Sequence, residues 1–396
     1  MLSNIELRSK FFAMPHVNRI AVVVVALLVC SCTARTELER RPDDRTLVVY
    51  MGGDNSLSAE CDAKLAALRE GFATVCAASA SARLRMVVYR DMRAFAPSLC
   101  EVAPDGGLRP IESYQEENSA SPEVFGRVLR RVRSLFPARS YTLLVFSHAS
   151  GWLPEGRLAA PVAPGDEAPT RSIVADGASE MELAGFAAAI PEDMFDGIVF
   201  EACFMAGIEV AWELRDKCDY LLASSAEIVS PGFTEHYRSS LGHLFGPPSG
   251  LAAFGQAVVD ALSAYPATDW RRSATYSLIS TPAIAPLAEF VRTRCDPTIA
   301  LSVFDVQRFD RGAHRLFFDM GDCCSRLLDG EADRAELRDL IAAAVPWKAA
   351  TGNFLHGQGG FTVEHHSGLT VYIRQPAYPY LNMRYDNLGW AKATGK

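Results

Sequence analysis

Asp196-Gly197-Ile198-Val199-Phe200-Glu201-Ala202-Cys203-Phe204-Met205-Ala206-Gly207-Ile208-Glu209-Val210 begins as a short apolar run, stops on a cysteine and continues with helical spacing. Tyr141-Thr142-Leu143-Leu144-Val145-Phe146-Ser147-His148-Ala149-Ser150-Gly151-Trp152 has the same design, with a histidine at the stop. Apolar runs of this length with little alternation read as strands covered on both faces, which is the state of a parallel sheet. Cys203 and His148, each at the C-terminal end of such a strand, can meet on one edge of an α/β sheet, where these folds place their chemistry. That is the layout of a cysteine nucleophile and its base.

The remaining chain extends the pattern. Strand-like runs occur at 47–51, 84–89, 220–223 and 369–373, and helical patterns near 57–78, 122–135, 180–190, 205–217 and 251–264. Strands alternating with helices predict an α/β fold, a mostly parallel central sheet flanked by helices. Residues 275–345 are less regular, with a helix expected only around 311–328. Residues 153–170 (LPEGRLAAPVAPGDEAPT) lack apolar periodicity and follow the histidine strand directly. A loop of this length inside a compact domain is usually functional or mobile, and easily nicked.

With 396 residues, 49% of them apolar and 22% charged, the chain can bury a full core. A net charge of −8 without a basic run argues against nucleic acid as a partner. At the N-terminus, Arg8, Lys10 and Arg19 precede the apolar stretch Ile20 to Val29, too short to span a bilayer. Val29-Cys30-Ser31-Cys32 follows and is similar to a bacterial lipobox, with Cys32 as the residue to be lipidated and Cys30 a poorer fit. An ordinary secretory signal and an uncleaved anchor are the alternatives. The expected organisation is a lipoprotein signal over 1–31, a tether over 32–45 and a domain over 46–396, exported and held in the cell envelope by a lipid anchor. The cysteines other than Cys30 and Cys32 show no CxxC spacing, and no pairing follows from sequence.

Each chemistry-bearing residue has a bland reading. A strand-end cysteine is commonly a small buried hydrophobe, and a strand-end histidine a satisfied cap. For Cys203 the helix expected at 205–217 would lower the thiol pKa through its N-terminal partial charge. Trp152 could wall the cleft or simply be buried. Glu227, after Ser224-Ser225-Ala226, lies on the edge that would hold substrate and is a candidate pocket acid. Asp54 and Asp176 read better as turn residues than as catalytic ones. His365-His366 have no partners at ligand spacing, so no metal is expected.

Ser147-His148-Ala149-Ser150-Gly151-Trp152 and the run from Glu201 to Leu214 resemble the two active-site blocks of the clostripain family of cysteine peptidases. Val48 to Leu57, with its Asp54-Asn55-Ser56-Leu57 turn, resembles the family's opening strand; Ser367–Ile373 and Leu388–Gly395 resemble its C-terminal strand and tail. The resemblance covers roughly residues 46–395 and implies a caspase-like α/β sandwich. It also implies that Cys203 attacks the scissile carbonyl, that His148 assists proton transfer, and that the backbone N–H groups of Cys203 and Ala149 hold the oxyanion. A family acid two residues before the cysteine lines a pocket for Arg or Lys, and here that residue is Glu201. Two positions depart from the pattern: Ala149 stands where the family has Gly, and Glu201 where it has Asp. If the backbone at Ala149 needed positive φ, the side chain would bring strain. Family members can be activated by cleavage between His and Cys, which makes Arg157 and Arg171 candidate self-cleavage sites. Some relatives use calcium, but no calcium-binding loop is present. The expectation is a monomeric endopeptidase acting on protein or peptide substrates, with no cofactor. The alternative is a catalytically silent surface lipoprotein that binds peptides through the same cleft.

Overall fold

Strand β1 (Arg45–Gly53) sets the architecture, because its alternating side chains feed two separate cores. Val48 and Tyr50 point to one face and Leu47, Val49 and Met51 to the other, all fully buried. The structure is a computed structural model describing residues 42–79, 81–158, 161 and 173–395. Contacts group Asp43–Lys396 as one compact unit.

The other sheet strands are β2 (Leu84–Met92), β3 (Phe95–Val102), β4 (Leu108–Ser113), β5 (Tyr141–Phe146), β6 (Phe195–Glu201), β7 (Cys218–Ser224), β8 (Thr275–Ser280) and β9 (Trp347–Ala350). Their spatial order is β9-β8-β7-β6-β5-β1-β2-β3-β4. The five strands from β7 to β2 run parallel, and antiparallel pairs extend each edge. This is the mostly parallel, helix-flanked sheet expected from the sequence, with edges that the strand pattern did not announce.

Helices cover both faces. On the Leu47 face lie α1 (Ser58–Ala78), α5 (Thr234–Ser240) and α6 (Pro248–Ser263); on the Val48 face lie α2 (Pro122–Leu135), α3 (Leu183–Ala189), α4 (Ile208–Glu213), α7 (Ile284–Arg294), α8 (Met320–Ser325) and α9 (Glu331–Ala344). The start of α2 is encoded locally: Ser121 accepts hydrogen bonds from the N–H groups of Glu123 and Val124, and Pro122 occupies the first turn. Phe125, Val128, Leu129 and Val132 then form its buried stripe. Each such side chain contributes about 1.5–3 kcal/mol by leaving water.

Three expectations are corrected. Residues 275–345 are far more regular than their pattern suggests, holding β8, α7 and α9, while 311–328 is helical only at α8. Pro286 looks like a breaker but sits in the first turn of α7, where its missing N–H is tolerated. The run 369–373 contributes only Thr370–Val371, paired with Phe318–Asp319 outside the main sheet. The helix expected over 205–217 is shorter, since α4 begins at Ile208 and ends at Glu213.

The signal segment 1–31, Cys32 and most of the tether lie outside the described residues. The tether's last residues join the domain: Asp43 N–H donates to Pro137 O at 2.8 Å, and Arg45 opens β1.

Candidate active site

Register brings the two sequence blocks together. β5 and β6 are parallel neighbours with Phe146 opposite Glu201, so His148 and Cys203 each stand two residues beyond the same rung. Adjacent strands lie about 4.8 Å apart. The loops beyond them also touch. Gly151 has φ +63°, and a Cβ there would stand 2.7 Å from the carbonyl oxygen of Phe204. Phe317, whose ring stacks on Phe204 at 4.4 Å, closes the same corner.

Cys203 is partly exposed and sits in a turn, not at a helix N-terminus as expected from the sequence. α4 starts five residues later at Ile208. The cause is the backbone at Phe204, which takes φ +60° and donates its N–H to Ala226 O at 3.0 Å, while Ala206 N–H donates to Ser224 O at 3.0 Å. The turn is thus sewn to the end of β7. The next segment reaches the nucleophile itself: Ile228 N–H donates to Cys203 Sγ at 3.3 Å, a contact that favours the thiolate over the thiol.

His148 is buried at the strand end and hydrogen-bonded through Nε2 to Ser56 Oγ at 2.8 Å. Ser56 is held by the turn after β1. Asn55 Nδ2 donates to Gly52 O (2.9 Å) and to Ala175 O (2.7 Å), and Asn55 Oδ1 accepts from Leu57 N–H (2.8 Å). Ser147 Oγ donates to Gly52 O at 2.8 Å and accepts from Ala175 N–H at 3.1 Å, fixing the backbone beside the histidine. Asp54, in the bend after β1, pairs at 3.4 Å with Arg93 near the surface, while Asp176, expected in a turn, ends the two-residue strand Ala175–Asp176 and accepts from Ser119 N–H at 2.6 Å.

Ala149 is buried and is not among the described residues with positive φ. The left-handed position in this loop belongs to Gly151, so Ala149 keeps its N–H without strain.

The expected pocket residues separate. Glu201 is buried on the Leu47 face, where its carboxylate accepts from Lys64 Nζ, Phe233 N–H and Tyr237 Oη–H, each at 2.5 Å. Lys64 and Glu201 side chains are each 1% exposed. Lys64 Nζ also donates to Thr234 Oγ1 at 2.8 Å and lies 4.4 Å from the centre of the Phe146 ring. In this arrangement Glu201 is sealed from solvent and its charge is already compensated by Lys64. Trp152 stands in the core against Tyr372 and Tyr385, with ring centres at 4.9 and 5.2 Å, not on a cleft wall. Glu227 is on the active edge, one residue before the donor to Cys203 Sγ, and is paired with Arg311.

Arg157 is buried with its guanidinium 4.4 Å over the Tyr380 ring. Arg171 lies outside the described residues. Among the described residues no two cysteines form a disulfide, and no group of three His, Cys, Asp or Glu is placed to hold a metal ion.

Sequence reasoning missed Ser56, Ile228, Lys64 and Arg311. Only Lys64 carried a signal. It falls between Cys61 and Leu68 on the apolar stripe of α1, and a cation at such a position demands a buried partner.

The comparisons with known proteins converge on one family. The model of the clostripain family matches residues 49–295. The fold is shared with an inactive zymogen of a C11 protease from Parabacteroides distasonis, at 26% identity and a TM-score of 0.76, covering 89% of this chain and 99% of that one. It is also shared with a secreted C11 cysteine protease from Bacteroides thetaiotaomicron, solved with an irreversible peptide inhibitor, at 23% identity and a TM-score of 0.75, covering 89% and 98%. No curated protein matches.

Proposed function

The chain belongs to the clostripain family of cysteine peptidases, and we propose that it is an endopeptidase whose Cys203 and His148 form the catalytic dyad, cleaving after Arg or Lys. The observation that carries the dyad is the common rung of β5 and β6, which puts both residues beyond one sheet edge. Cys203 would pass its proton to His148 as Sγ bonds to the scissile carbonyl carbon, and the oxyanion would meet the N–H groups of Cys203 and Ala149. The C–N bond then breaks as His148 protonates the leaving amine, and water hydrolyses the thioester with His148 as base. Ser56, on His148 Nε2, is a positioning residue for the ring. No step calls for a metal or cofactor.

A basic preference is supported by Glu227, the acid beside the nucleophile, more than by Glu201, whose charge Lys64 already balances. Export and a lipid anchor at Cys32 rest on the N-terminal sequence alone. Activation by nicking fits Arg171, which follows the Pro/Ala-rich segment, better than Arg157, which is buried.

The test is a panel of fluorogenic peptides varied at the residue before the scissile bond, cleaved by the wild type, Cys203→Ala and His148→Ala. Cleavage after Arg or Lys that falls at least about 10³-fold in both variants is the expected result. Undiminished cleavage by Cys203→Ala would sink the dyad, and equal cleavage after neutral residues would sink the basic preference.

A further inference from the structure

Glu227 is not vacant. Arg311 closes on it with two parallel hydrogen bonds, Nε to Oε2 at 2.5 Å and Nη2 to Oε1 at 2.9 Å, the fork geometry by which a carboxylate recognises an arginine side chain. Its remaining nitrogen, Nη1, donates to Gln358 O at 3.3 Å. The next residue along the chain from Glu227 is Ile228, the N–H donor to Cys203 Sγ, so the pair stands next to the nucleophile. The hydrogen bond from the Glu227 carboxylate raises the pKa of the Arg311 guanidinium further above its already high value.

The loop that presents Arg311 is anchored on both sides. Asp310 is buried and accepts from Leu316 N–H at 2.9 Å, Phe309 N–H donates to Phe317 O at 2.9 Å, and Gly312 turns the chain at φ +84°. The pair itself is open to water, with side chains 38% and 29% exposed. An exposed ion pair contributes at most about 1 kcal/mol, so it can be exchanged for another. The buried Lys64–Glu201 pair cannot be exchanged in this way, because each charge would be stranded without water.

We propose that Glu227 is the acid that receives the basic side chain of a peptide, and that Arg311 is its resident occupant, a side chain of the same chemistry which a substrate must displace. The proposal rests on the basic-specificity reading above and adds to it a competitor built into the chain. Arg311 is a specificity-tuning residue and takes no part in bond making.

Two labelled peptides identical except for Arg or citrulline at one position separate this inference from the peptidase reading. Their binding is measured by fluorescence anisotropy to the full-length chain carrying Cys203→Ala, alone and combined with Arg311→Ala, Arg311→Gln or Glu227→Gln. Removal of Arg311 is expected to tighten the Arg peptide about 3-fold to 5-fold, the range open to an exposed pair, and to leave the citrulline peptide unchanged. Glu227→Gln is expected to erase the difference between the two peptides. The proposal is overturned if both Arg311 variants bind the Arg peptide no tighter, or if both peptides tighten equally. Cleavage is measured in parallel on chains retaining Cys203. Arg-selective tightening without cleavage refutes the peptidase and keeps the occupied acid; cleavage without tightening does the reverse.

Discussion

Lys64–Glu201 and Arg311–Glu227 are both carboxylates closed by a cation at 2.5 Å, and their surroundings make them opposites. The first pair is sealed among Phe146, Phe233 and Tyr237; Gly232 lies so close that a Cβ there would stand 2.4 Å from Glu201 Oε1. Removing one partner of a buried pair leaves the other charged and unsolvated, at a cost of about 3–5 kcal/mol. Lys64→Met is therefore expected to lose stability in that range by chemical denaturation, and Lys64→Met with Glu201→Gln to recover most of it. A single variant as stable as the wild type would mean the pair is solvated. The consequence for function is that a family pocket position can keep its acidic character in sequence while a lysine on a neighbouring helix neutralises it. Reading Glu201 from its spacing to Cys203 gave the right strand end and overlooked the partner, because Lys64 is 137 residues away in sequence.

At the scale of elements, the contact between the histidine loop and the cysteine turn is backbone against backbone. Gly151 meets Phe204 O, and both residues use left-handed φ. Gly151→Ala combines left-handed strain, about 1 kcal/mol or more, with a clash against a carbonyl that cannot rotate away. It is expected to cut kcat/KM by at least about tenfold, since the dyad geometry depends on this corner. Gly177→Ala is the matched control: its φ is +55°, but nothing lies within 4 Å of the added carbon. It should lower Tm slightly and leave kcat/KM alone; equal losses in the two variants would assign the effect to strain and not to loop contact. The strands bearing His148 and Cys203 were legible because burial on both faces writes them as unbroken apolar runs. β3, β4 and β8 interrupt their apolar residues with Pro, Ser, Thr or charged residues and were not seen. The expected activating helix at Cys203 failed for a local reason: the hydrogen bonds of Phe204 and Ala206 go to β7, so the chain makes a turn before it can close an α-helical ring.

For the whole molecule, what sequence could not supply was pairing across distance, and the same long-range burial sets how stability responds to pH. Asp91 stands at the end of β2, opposite Gly52, with its carboxylate buried beside Ser119 and Asp176. Burial, and then the neighbouring Asp176, push its carboxyl up to about 7. Burial also lifts Glu209 and Asp310 to about 7. A carboxyl whose folded value lies above its unfolded value of about 4 stabilises the fold while both states are protonated. That contribution fades as pH rises from about 4 through 7. His366 acts in the opposite direction: burial lowers it to about 3, so its contribution is present above its unfolded value near 6.5 and is lost as pH falls. The wild-type profile thus sums opposing slopes below pH 6.5, and a variant isolates one of them. Asp91→Asn cannot ionise, and its amide can donate toward Asp176. Its Tm relative to wild type is expected to climb steadily from pH 4 to pH 8 and to be higher than wild type by several degrees at pH 8. Calorimetry at one-unit steps checks this. A difference that stays flat across the range would mean that Asp91 ionises normally in the folded chain, and that the carboxyl pair between β2 and the segment before α3 is open to water.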